Sequence, residues 1–539
     1  MGRQLRPFLL SAVFLAICAL LSGSLGPGSA AHASSSAAMG MATGDAELDS
    51  GLKLLTSIYH LAEENAAEKV NPDKSIYDGA IPGMLRTLDP HSNFFDPKEY
   101  SKLREDQRGR YYGVGMTIQQ RGGHTMVVYP FPGSPAFKAG LRPGDIILEI
   151  NDKSALGLLS SDVADLLKGP RGTAVQVKIS REGKTDPLVF NLIRDAINRP
   201  SVPTKFFIRP GIAYIHIEQF TETTSRELED ALASMNESGL KGLILDLRDN
   251  PGGLLNEGVA VAGRFLRRGQ TVVSHRGRTS PDKPYVASNG SSGREYPIVV
   301  LVSRLSASAA EIVAGALQDH DRAWILGDNT FGKGLVQTVF PLMENTGLAL
   351  TTAKYYTPSG RLIQRDYSSG SFYDYYYHRD TEKKNTQDVK MTDSGRTVYG
   401  GSGITPDEKF VIDYKPFQVE LLRRAAFRDY LPKYFGNHDA KLPPDWSPDE
   451  SMMADFHAFL LKENYQFTEA DWGQFQDWIR VQLKKEALLT SAGLDEANRY
   501  ATETDPVVLK ALESMPKAKA LLDNARKQMV QLNQRSLSH

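Results

Sequence analysis

Residues 297–337 combine the pattern of a buried strand, the start of a helix and a glycine-framed lysine. An apolar run at 297–302 predicts a short buried strand, and helical spacing of apolar residues follows it after a few small residues. A strand that leads directly into a helix is typical of α/β domains. Ser308 is therefore predicted to lie at the start of this helix, where unpaired backbone N–H groups and the helix dipole favour negative charge.

A lysine follows this serine in a glycine-framed loop. Lys333 lies in F-G-K-G, 25 residues after Ser308, and the pair suggests serine chemistry with an amine base. The amine must be neutral to accept a proton, so the hypothesis requires that Lys333 is buried. Gln337 could exchange a hydrogen bond with the amine, and the Ala309 N–H is the natural donor to an oxyanion. The alternative is an ordinary helix start beside a surface lysine.

Several separate motifs resemble those of the carboxyl-terminal processing (tail-specific) proteases. The motifs are L-D-P-H-S at 88–92, Y-G-V-G-M at 112–116, G-S-P-A at 133–136, L-R-P-G-D at 141–145, D-L-R-D-N-P-G-G at 246–253, S-A-S-A-A-E at 306–311, F-G-K-G-L-V-Q at 331–337 and Y-T-P-S-G-R at 356–361. They occur in the expected order, and the resemblance covers roughly residues 45–413.

The resemblance implies a serine endopeptidase and assigns its catalytic residues. Ser308 would be the nucleophile, Lys333 the general base and Gln337 the residue that positions the lysine. Ser306 competes as nucleophile, but the family spacing to the lysine selects Ser308. The runner-up function is a non-catalytic PDZ scaffold or holdase that retains the protease fold.

The oxyanion would be bound by two backbone donors. The first is Ala309, and the resemblance implies that the second is Gly252 or Gly253, a choice that stays open. We predict no metal and no cofactor, because the eleven histidines lack paired ligand spacing and the single cysteine, Cys18, lies in the N-terminal segment.

Residues 108–194 resemble a PDZ domain. The predicted elements are strands at 115–119, 124–129, 145–150 and 174–180 and a helix at 160–168. In PDZ domains a glycine loop binds a C-terminal carboxylate while the peptide adds to the sheet edge. The matching loop here is Tyr112, Gly113, Val114, Gly115 and Met116. Its Val and Met favour protein or peptide partners with apolar C-termini.

Residues 195–413 are predicted to form the α/β catalytic domain. Strands are expected at 212–217 and 242–247, with a helix between them that begins in a capping box of Thr224 and Glu227. The family resemblance implies a crotonase-like or Clp-protease-like fold with the PDZ domain inserted. A Tyr-rich insertion at about 365–401 departs from the family pattern.

The first 33 residues have the pattern of a signal peptide. Arg3 and Arg6 precede an apolar run at 8–21, and a cleavage signal ends at Ala33. The run is short for a membrane span, so we expect export to the periplasm or cell envelope, with membrane contact only if this segment stays uncleaved. Residues 34–44 are predicted to be a linker.

The remaining regions are predicted to be helical. Residues 45–107 form an N-terminal helical segment with helices at 48–66 and 76–87, and residues 414–539 form a helical C-terminal region. A homo-oligomer is possible. The 63 basic and 64 acidic residues leave no positive excess for nucleic-acid binding. A length of 539 residues favours several domains over one core.

Overall fold

The computed structural model describes residues 37–288, 290, 294–368, 375–376, 388–436, 442–443 and 445–537. The predicted signal peptide at 1–33 lies outside these residues. The same is true of the middle of the Tyr-rich insertion, apart from Tyr375 and Tyr376.

The N-terminal segment is helical, but its first helix begins earlier than expected. Helix α1 spans Ala37–Asn65, so the predicted linker at 34–44 is wrong for residues 37–44. The reason is that Ala and Met, which are frequent there, are strong helix formers despite the low-complexity composition. The next elements are a π-helical turn (Lys74–Ala80), α2 (Ile81–Leu85), β1 (Asn93–Phe95) and α3 (Pro97–Arg108).

The PDZ region contains the predicted strands and helix with ends shifted by one or two residues. Its elements are β2 (Arg110–Gly113), β3 (Met116–Arg121), β4 (His124–Pro130), α4 (Pro135–Ala139), β5 (Ile146–Ile150), β6 (Lys153–Ser154), α5 (Ser160–Leu167), β7 (Ala174–Ser180), β8 (Leu188–Ile193) and β9 (Asp195–Asn198). The sheet order is β3-β4-β5-β7-β8, with β6 on β5, while β2 pairs antiparallel with β9 at the base of the domain.

The catalytic region contains a six-stranded sheet flanked by helices. Its elements in chain order are β10 (Thr204–Arg209), β11 (Ile212–His216), α6 (Thr224–Ser234), β12 (Gly242–Asp246), α7 (Leu255–Phe265), β13 (Thr271–Arg276), β14 (Lys283–Val286), β15 (Ile298–Val302), α8 (Ala309–Asp319), β16 (Trp324–Gly327), β17 (Leu335–Pro341), β18 (Gly347–Tyr356), β19 (Val389–Met391), β20 (Thr397–Tyr399) and β21 (Glu408–Lys409). The sheet order is β10-β11-β12-β15-β16-β21, and every pair except β10 with β11 is parallel.

The six-stranded sheet packs against a layer of helices, with a second sheet beside them. Buried apolar side chains of α6, α7 and α8 form one large core with one of its faces. A second sheet, in the order β1-β18-β13-β14 with β17 also on β18, lies beside this core. Strand β1 from the N-terminal segment therefore pairs directly with the catalytic region.

The start of α6 differs from the predicted capping box. The N-cap is Thr223 rather than Thr224, and the Thr223 hydroxyl donates to Glu227 Oε1 at 2.6 Å. The Thr224 hydroxyl instead accepts the Thr221 N–H at 2.8 Å within the preceding turn. Adjacent threonines offer the same chemistry, and the turn decides which of them caps the helix.

The C-terminal region is helical, as predicted. Its helices are α9 (Pro416–Arg423), α10 (Ala426–Phe435), α11 (Glu450–Lys462), α12 (Glu469–Ser491), α13 (Leu494–Glu503) and α14 (Pro506–Leu537). Helix α14 covers the other face of the six-stranded sheet through Val508, Ala511 and Met515. Most of the other helices share an aromatic core of their own. Among the residues described, none of the helices is long and apolar enough to span a membrane.

Candidate active site

Ser308 stands at the N-terminus of α8 in a strained conformation. It is the N-cap residue, with φ 55° and ψ −115°, and only 4% of its surface is exposed. A residue other than glycine at positive φ and outside the left-handed helical region costs on the order of 1–3 kcal/mol, and strain of this kind clusters at functional sites. The N–H of the next residue, Ala309, has no hydrogen-bond partner within the described ranges, as expected for the first turn of a helix.

The competing serine, Ser306, forms hydrogen bonds that stabilise the turn before α8. Ser306 is fully buried, its hydroxyl donates to the Leu247 carbonyl at 2.7 Å, and it accepts the Ser303 N–H at 2.9 Å. These bonds join the turn after β15 to the loop after β12. Ser306 is thus committed to the fold, and Ser308 is the serine whose position suits a nucleophile.

Gly252, one of the two candidate glycines, lies against Ser308, because the loops that follow neighbouring parallel strands meet at one edge of the sheet. The Ala307 N–H donates to the Asn250 carbonyl at 2.9 Å, and a Cβ on Gly252 would lie 2.8 Å from Ser308 Cβ. The Gly252 N–H is already donated to Asn250 Oδ1 at 2.7 Å. The Gly253 N–H has no partner among the described residues, so of the two it is the candidate donor.

An ion pair stabilises the start of the segment that contains Gly252 and Gly253. Arg248 contacts Asp246 Oδ2 at 2.6 Å and also reaches Asp505 of the C-terminal region at 2.8 Å. Burial alone would raise the pKa of Asp246, but the charge and hydrogen bonds of Arg248 outweigh it and lower that pKa. The carboxylate therefore stays ionised and holds the start of the D-L-R-D-N-P-G-G segment.

Lys333 is buried, as the hypothesis requires. Only 5% of its surface is exposed, and its Nζ donates to Gln337 Oε1 at 3.0 Å. Gln337 lies on β17 at a bulge in its pairing with β18, and its Nε2 donates to the backbone carbonyl of His91. Bulges next to functional sites commonly re-aim a side chain, and this one directs Gln337 toward the lysine.

Glu311 connects the serine and lysine segments, and sequence reasoning missed it. Its carboxylate is fully buried, and Oε2 accepts the N–H of Ser308 at 2.8 Å and that of Lys333 at 2.9 Å. Oε1 accepts the Gly332 N–H and the Thr330 hydroxyl at 2.7 and 2.5 Å. Burial raises the pKa of Glu311, and these four hydrogen bonds act against that rise. A carboxylate three residues after an N-cap serine is the available sequence signal.

Two further segments border the site, the L-D-P-H-S turn and the Tyr-rich insertion, which the sequence predicts to be an interaction or substrate-edge loop. His91 belongs to the L-D-P-H-S turn, and burial, together with the charges of Lys333 and Arg365, holds its pKa well below its ordinary value. Tyr375, from the Tyr-rich insertion, bonds His91 Nε2 at 3.0 Å and packs in a buried cluster with Phe331 beside the nucleophile turn. Burial raises the pKa of Tyr375 to about 12, so both rings are neutral near pH 7.

A separate cavity of about 630 Å³ lies along the PDZ groove. Val114, Gly115 and Met116 line it together with Ala164 of α5, whereas Tyr112 and Gly113 lie in β2 and are not among its lining residues. The structure thus brings three of the five predicted tail-binding residues to the groove. The lining extends to Gln219 of the catalytic region and Leu494 of α13.

The described part of the chain contains no cluster of three or more histidine, cysteine or carboxylate side chains that could hold a metal ion. Among the described residues, the site offers a buried amine, a serine at a helix start and two backbone N–H groups without a hydrogen-bond partner. Together these groups can perform acyl transfer.

Comparisons with known proteins agree with this chemistry. Peptidase family S41 matches residues 211–370, and a PDZ domain matches residues 126–181. A carboxy-terminal-processing protease of Bartonella bacilliformis is 42% identical over 297 residues, which are 54% of this chain and 68% of the relative. The carboxy-terminal processing protease CtpA of Bacillus subtilis is 34% identical over 60% of this chain and 68% of its own.

Among solved structures, a photosystem II D1 C-terminal processing protease is 30% identical, with a TM-score of 0.36, over 65% of this chain and 86% of its own. The identity and coverage of the sequence relatives are sufficient to assign a family. The chain belongs to peptidase family S41, as a serine peptidase of the carboxy-terminal-processing group that carries a PDZ domain.

Proposed function

We propose that this protein is a serine endopeptidase that captures apolar C-terminal tails of unfolded or partly unstructured proteins and cleaves them with a Ser308–Lys333 dyad. The observation that carries the proposal is the shared carboxylate oxygen. Because Glu311 Oε2 accepts the backbone N–H of both residues, serine and lysine are neighbours in a buried site although 25 residues separate them in sequence.

In the proposed reaction, the neutral Lys333 amine accepts the hydroxyl proton of Ser308, and Oγ attacks the scissile carbonyl carbon. The oxyanion accepts hydrogen bonds from the N–H groups of Ala309 and Gly253. The proton then passes from Lys333 to the leaving amine, which departs from an acyl-Ser308 intermediate. Water hydrolyses this ester with the same lysine as base. Gln337 keeps one amine hydrogen engaged throughout.

Burial favours this role for the lysine. Transfer from water to a low-dielectric site penalises the ammonium form, and Lys333 is 5% exposed. One of its side-chain partners, Gln337, is a neutral amide, which stabilises the ammonium less than a carboxylate would. Both features favour the neutral amine that the proposed reaction requires.

The PDZ groove supports the proposed selection of tails. Val114, Gly115 and Met116 line the cavity, together with Ala164 and Leu167 of α5. A terminal carboxylate bound by backbone N–H groups, with an apolar side chain against α5, is the common PDZ mode. Export to the periplasm or cell envelope belongs to the same proposal and is supported by the basic and apolar pattern of residues 1–33.

The dyad is tested by substitution in the full chain. Ser308→Ala and Lys333→Ala should each reduce the turnover of an unfolded, apolar-tailed substrate by about a thousandfold or more, because a dyad acts as a unit. Circular dichroism should show that both variants remain folded. Activity of the parent should rise from acidic toward neutral or mildly alkaline pH, since a protonated lysine cannot act as base.

Ser306→Ala is the matched control, because Ser306 lies in the same turn and is equally buried. It should lose stability through its two hydrogen bonds but keep turnover within about tenfold of the parent. Full activity of Ser308→Ala, or a pH optimum near 4, would contradict the proposed dyad.

A further inference from the structure

The L-D-P-H-S turn at 88–92 reaches the lysine through one side chain. The backbone carbonyl of His91 accepts a hydrogen bond from Gln337 Nε2, and Gln337 Oε1 accepts the bond from Lys333 Nζ at 3.0 Å. Gln337 is 2% exposed, so water does not compete for either end of its amide. The turn and the candidate base are thus joined by two successive hydrogen bonds.

The His91 carbonyl decides which way the Gln337 amide faces. A carbonyl oxygen can only accept, so it requires the NH2 end of the amide on its side and leaves the oxygen facing Lys333. In the opposite orientation the NH2 group would face Lys333 and compete for the lone pair that must accept the serine proton. The position of the His91 carbonyl therefore determines which atom of the Gln337 amide contacts Lys333.

Asp89 fixes that carbonyl. Its Oδ1 accepts the N–H groups of His91 and Ser92, each at 2.8 Å, which closes a turn around residue 90. Asp89 is 5% exposed, and these bonds satisfy its carboxylate inside the protein. Without them, the peptide groups on both sides of His91 would lose the contacts that define their direction.

A second chain of bonds leads from Asp89 to the strand opposite Gln337. Asp89 Oδ2 accepts the Ser92 hydroxyl at 2.6 Å, and the Ser92 oxygen accepts the Thr351 N–H at 3.1 Å. Thr351 is the residue of β18 that pairs with Gln337 at the bulge. The Asp89 carboxylate thus stabilises both the turn whose His91 carbonyl accepts from Gln337 and the part of β18 that pairs with Gln337.

We infer that Asp89 is a positioning residue for proton transfer in this protease, acting on Lys333 through the His91 carbonyl and the Gln337 amide. The inference rests on the proposed Ser308–Lys333 dyad. The hydrogen bonds that lead from Asp89 to Lys333 run through the His91 backbone and Gln337, and this route makes the role separable from a purely structural one.

The test is a double-mutant cycle in the full-length protein. Asp89→Ala should lower kcat by about tenfold to a hundredfold with KM changed by no more than about threefold, because the base is misplaced while the tail groove is intact. Asp89→Asn should restore kcat to within about threefold, since the amide oxygen still accepts both N–H groups. In a Gln337→Ala background, Asp89→Ala should lower kcat by less than about twofold.

Ser92→Ala is the milder variant, because it removes the hydroxyl that joins Asp89 Oδ2 to the Thr351 N–H but keeps both backbone N–H donors to Asp89 Oδ1. It should give a smaller loss of kcat that likewise disappears in the Gln337→Ala background, and it decides the question if Asp89→Ala does not fold. Equal losses in the parent and Gln337→Ala backgrounds would overturn the inference, as would an unchanged kcat in Asp89→Ala. The Ser308–Lys333 dyad is tested separately by Lys333→Ala. An active Lys333→Ala enzyme refutes the proposed function, whatever the result of the double-mutant cycle.

Discussion

Glu311 Oε2 accepts the backbone N–H of Lys333 at 2.9 Å, across the gap between the helix that follows the nucleophile and the loop that carries the base. The same oxygen accepts the Ser308 N–H at 2.8 Å. One buried carboxylate therefore sets the spacing of two main-chain segments on which the proposed chemistry depends. Both hydrogen bonds are made to the backbone rather than to the Ser308 hydroxyl or the Lys333 amine.

Glu311→Gln is expected to loosen this arrangement. The carboxylate accepts four donors, and an amide oxygen can accept only those on one side, so in either orientation the NH2 group would face at least one backbone N–H group. We expect a loss of stability of about 2–5 kcal/mol and a fall in kcat larger than the change in KM. Thermal unfolding and steady-state kinetics measure the two effects.

Glu257→Gln provides the matched control. Glu257 is half-buried in the first turn of α7, and its Oε2 accepts one backbone N–H, that of Ser225, at 2.7 Å. The substitution keeps an oxygen for that single donor, so kcat should stay within about twofold of the parent. A comparable loss of kcat in both variants would show that Glu311 has no specific relation to the site.

The local part of the site could be predicted from the sequence. Hydrophobic periodicity placed a strand before Ser308 and a helix after it, and adjacent parallel strands bring the glycine loop to the same edge. These predictions depend on short stretches of chain whose conformation is set by neighbouring residues.

The rest depends on contacts between distant segments. Gly253 rather than Gly252 became the candidate donor only because the Asn250 side chain takes the Gly252 N–H. Glu311 had the spacing of a helix cap, and nothing local indicated that its other partners lie near Lys333. Tyr375 comes from an insertion without periodicity, so its packing against Phe331 was not predictable.

Stability at acidic pH should depend on His91. Its folded-state pKa is held well below 6.5 by burial and by the charges of Lys333 and Arg365. Below about pH 6.5 the unfolded chain therefore binds a proton that the folded protein does not, and stability falls as pH falls, by at most about 1.4 kcal/mol per pH unit for this group. His91→Gln should lose less of its thermal unfolding midpoint between pH 7 and 5 than the parent.

If His91→Gln and the parent lost the same amount of stability between pH 7 and 5, the buried neutral state of His91 would be wrong.

Arg361 should be important for the stability of the catalytic region. It is fully buried, and its guanidinium donates to Asp319 Oδ1 at 2.6 Å, to Gln318 Oε1 at 2.8 Å and to the Tyr399 carbonyl at 3.0 Å. Arg361→Met would leave the Asp319 carboxylate buried without its cation. We expect a loss of about 3–5 kcal/mol, measured by urea unfolding.

Arg423→Met is the control for this prediction, because Arg423 is exposed and pairs with Glu420 three residues earlier on α9. Exposed pairs of this kind contribute less than about 1 kcal/mol. Similar unfolding midpoints for the two arginine variants would mean that the buried pair adds no more than a surface pair.

Tail capture should depend on the groove wall formed by α5. Ala164 lines the cavity beside the 114–116 loop, and it lies within a regular helix, so a larger side chain can be added there without backbone strain. At Gly115 the same experiment would fail, because its φ is +77° and a Cβ would lie 2.4 Å from Ser134 Cβ. Ala164→Trp should fill the groove, raise KM for an apolar-tailed protein by about tenfold or more, and leave the fold intact.

Two comparisons separate a blocked groove from a damaged enzyme. Asp162→Trp adds the same side chain to α5 at an exposed position that does not line the cavity, so its KM should match that of the parent. Amidating the substrate's terminal carboxylate should weaken capture by the parent, because the backbone donors of the loop then lose a charged acceptor, and should make little difference to Ala164→Trp. Equal cleavage of free-acid and amidated tails by the parent would show that this groove does not select C-termini.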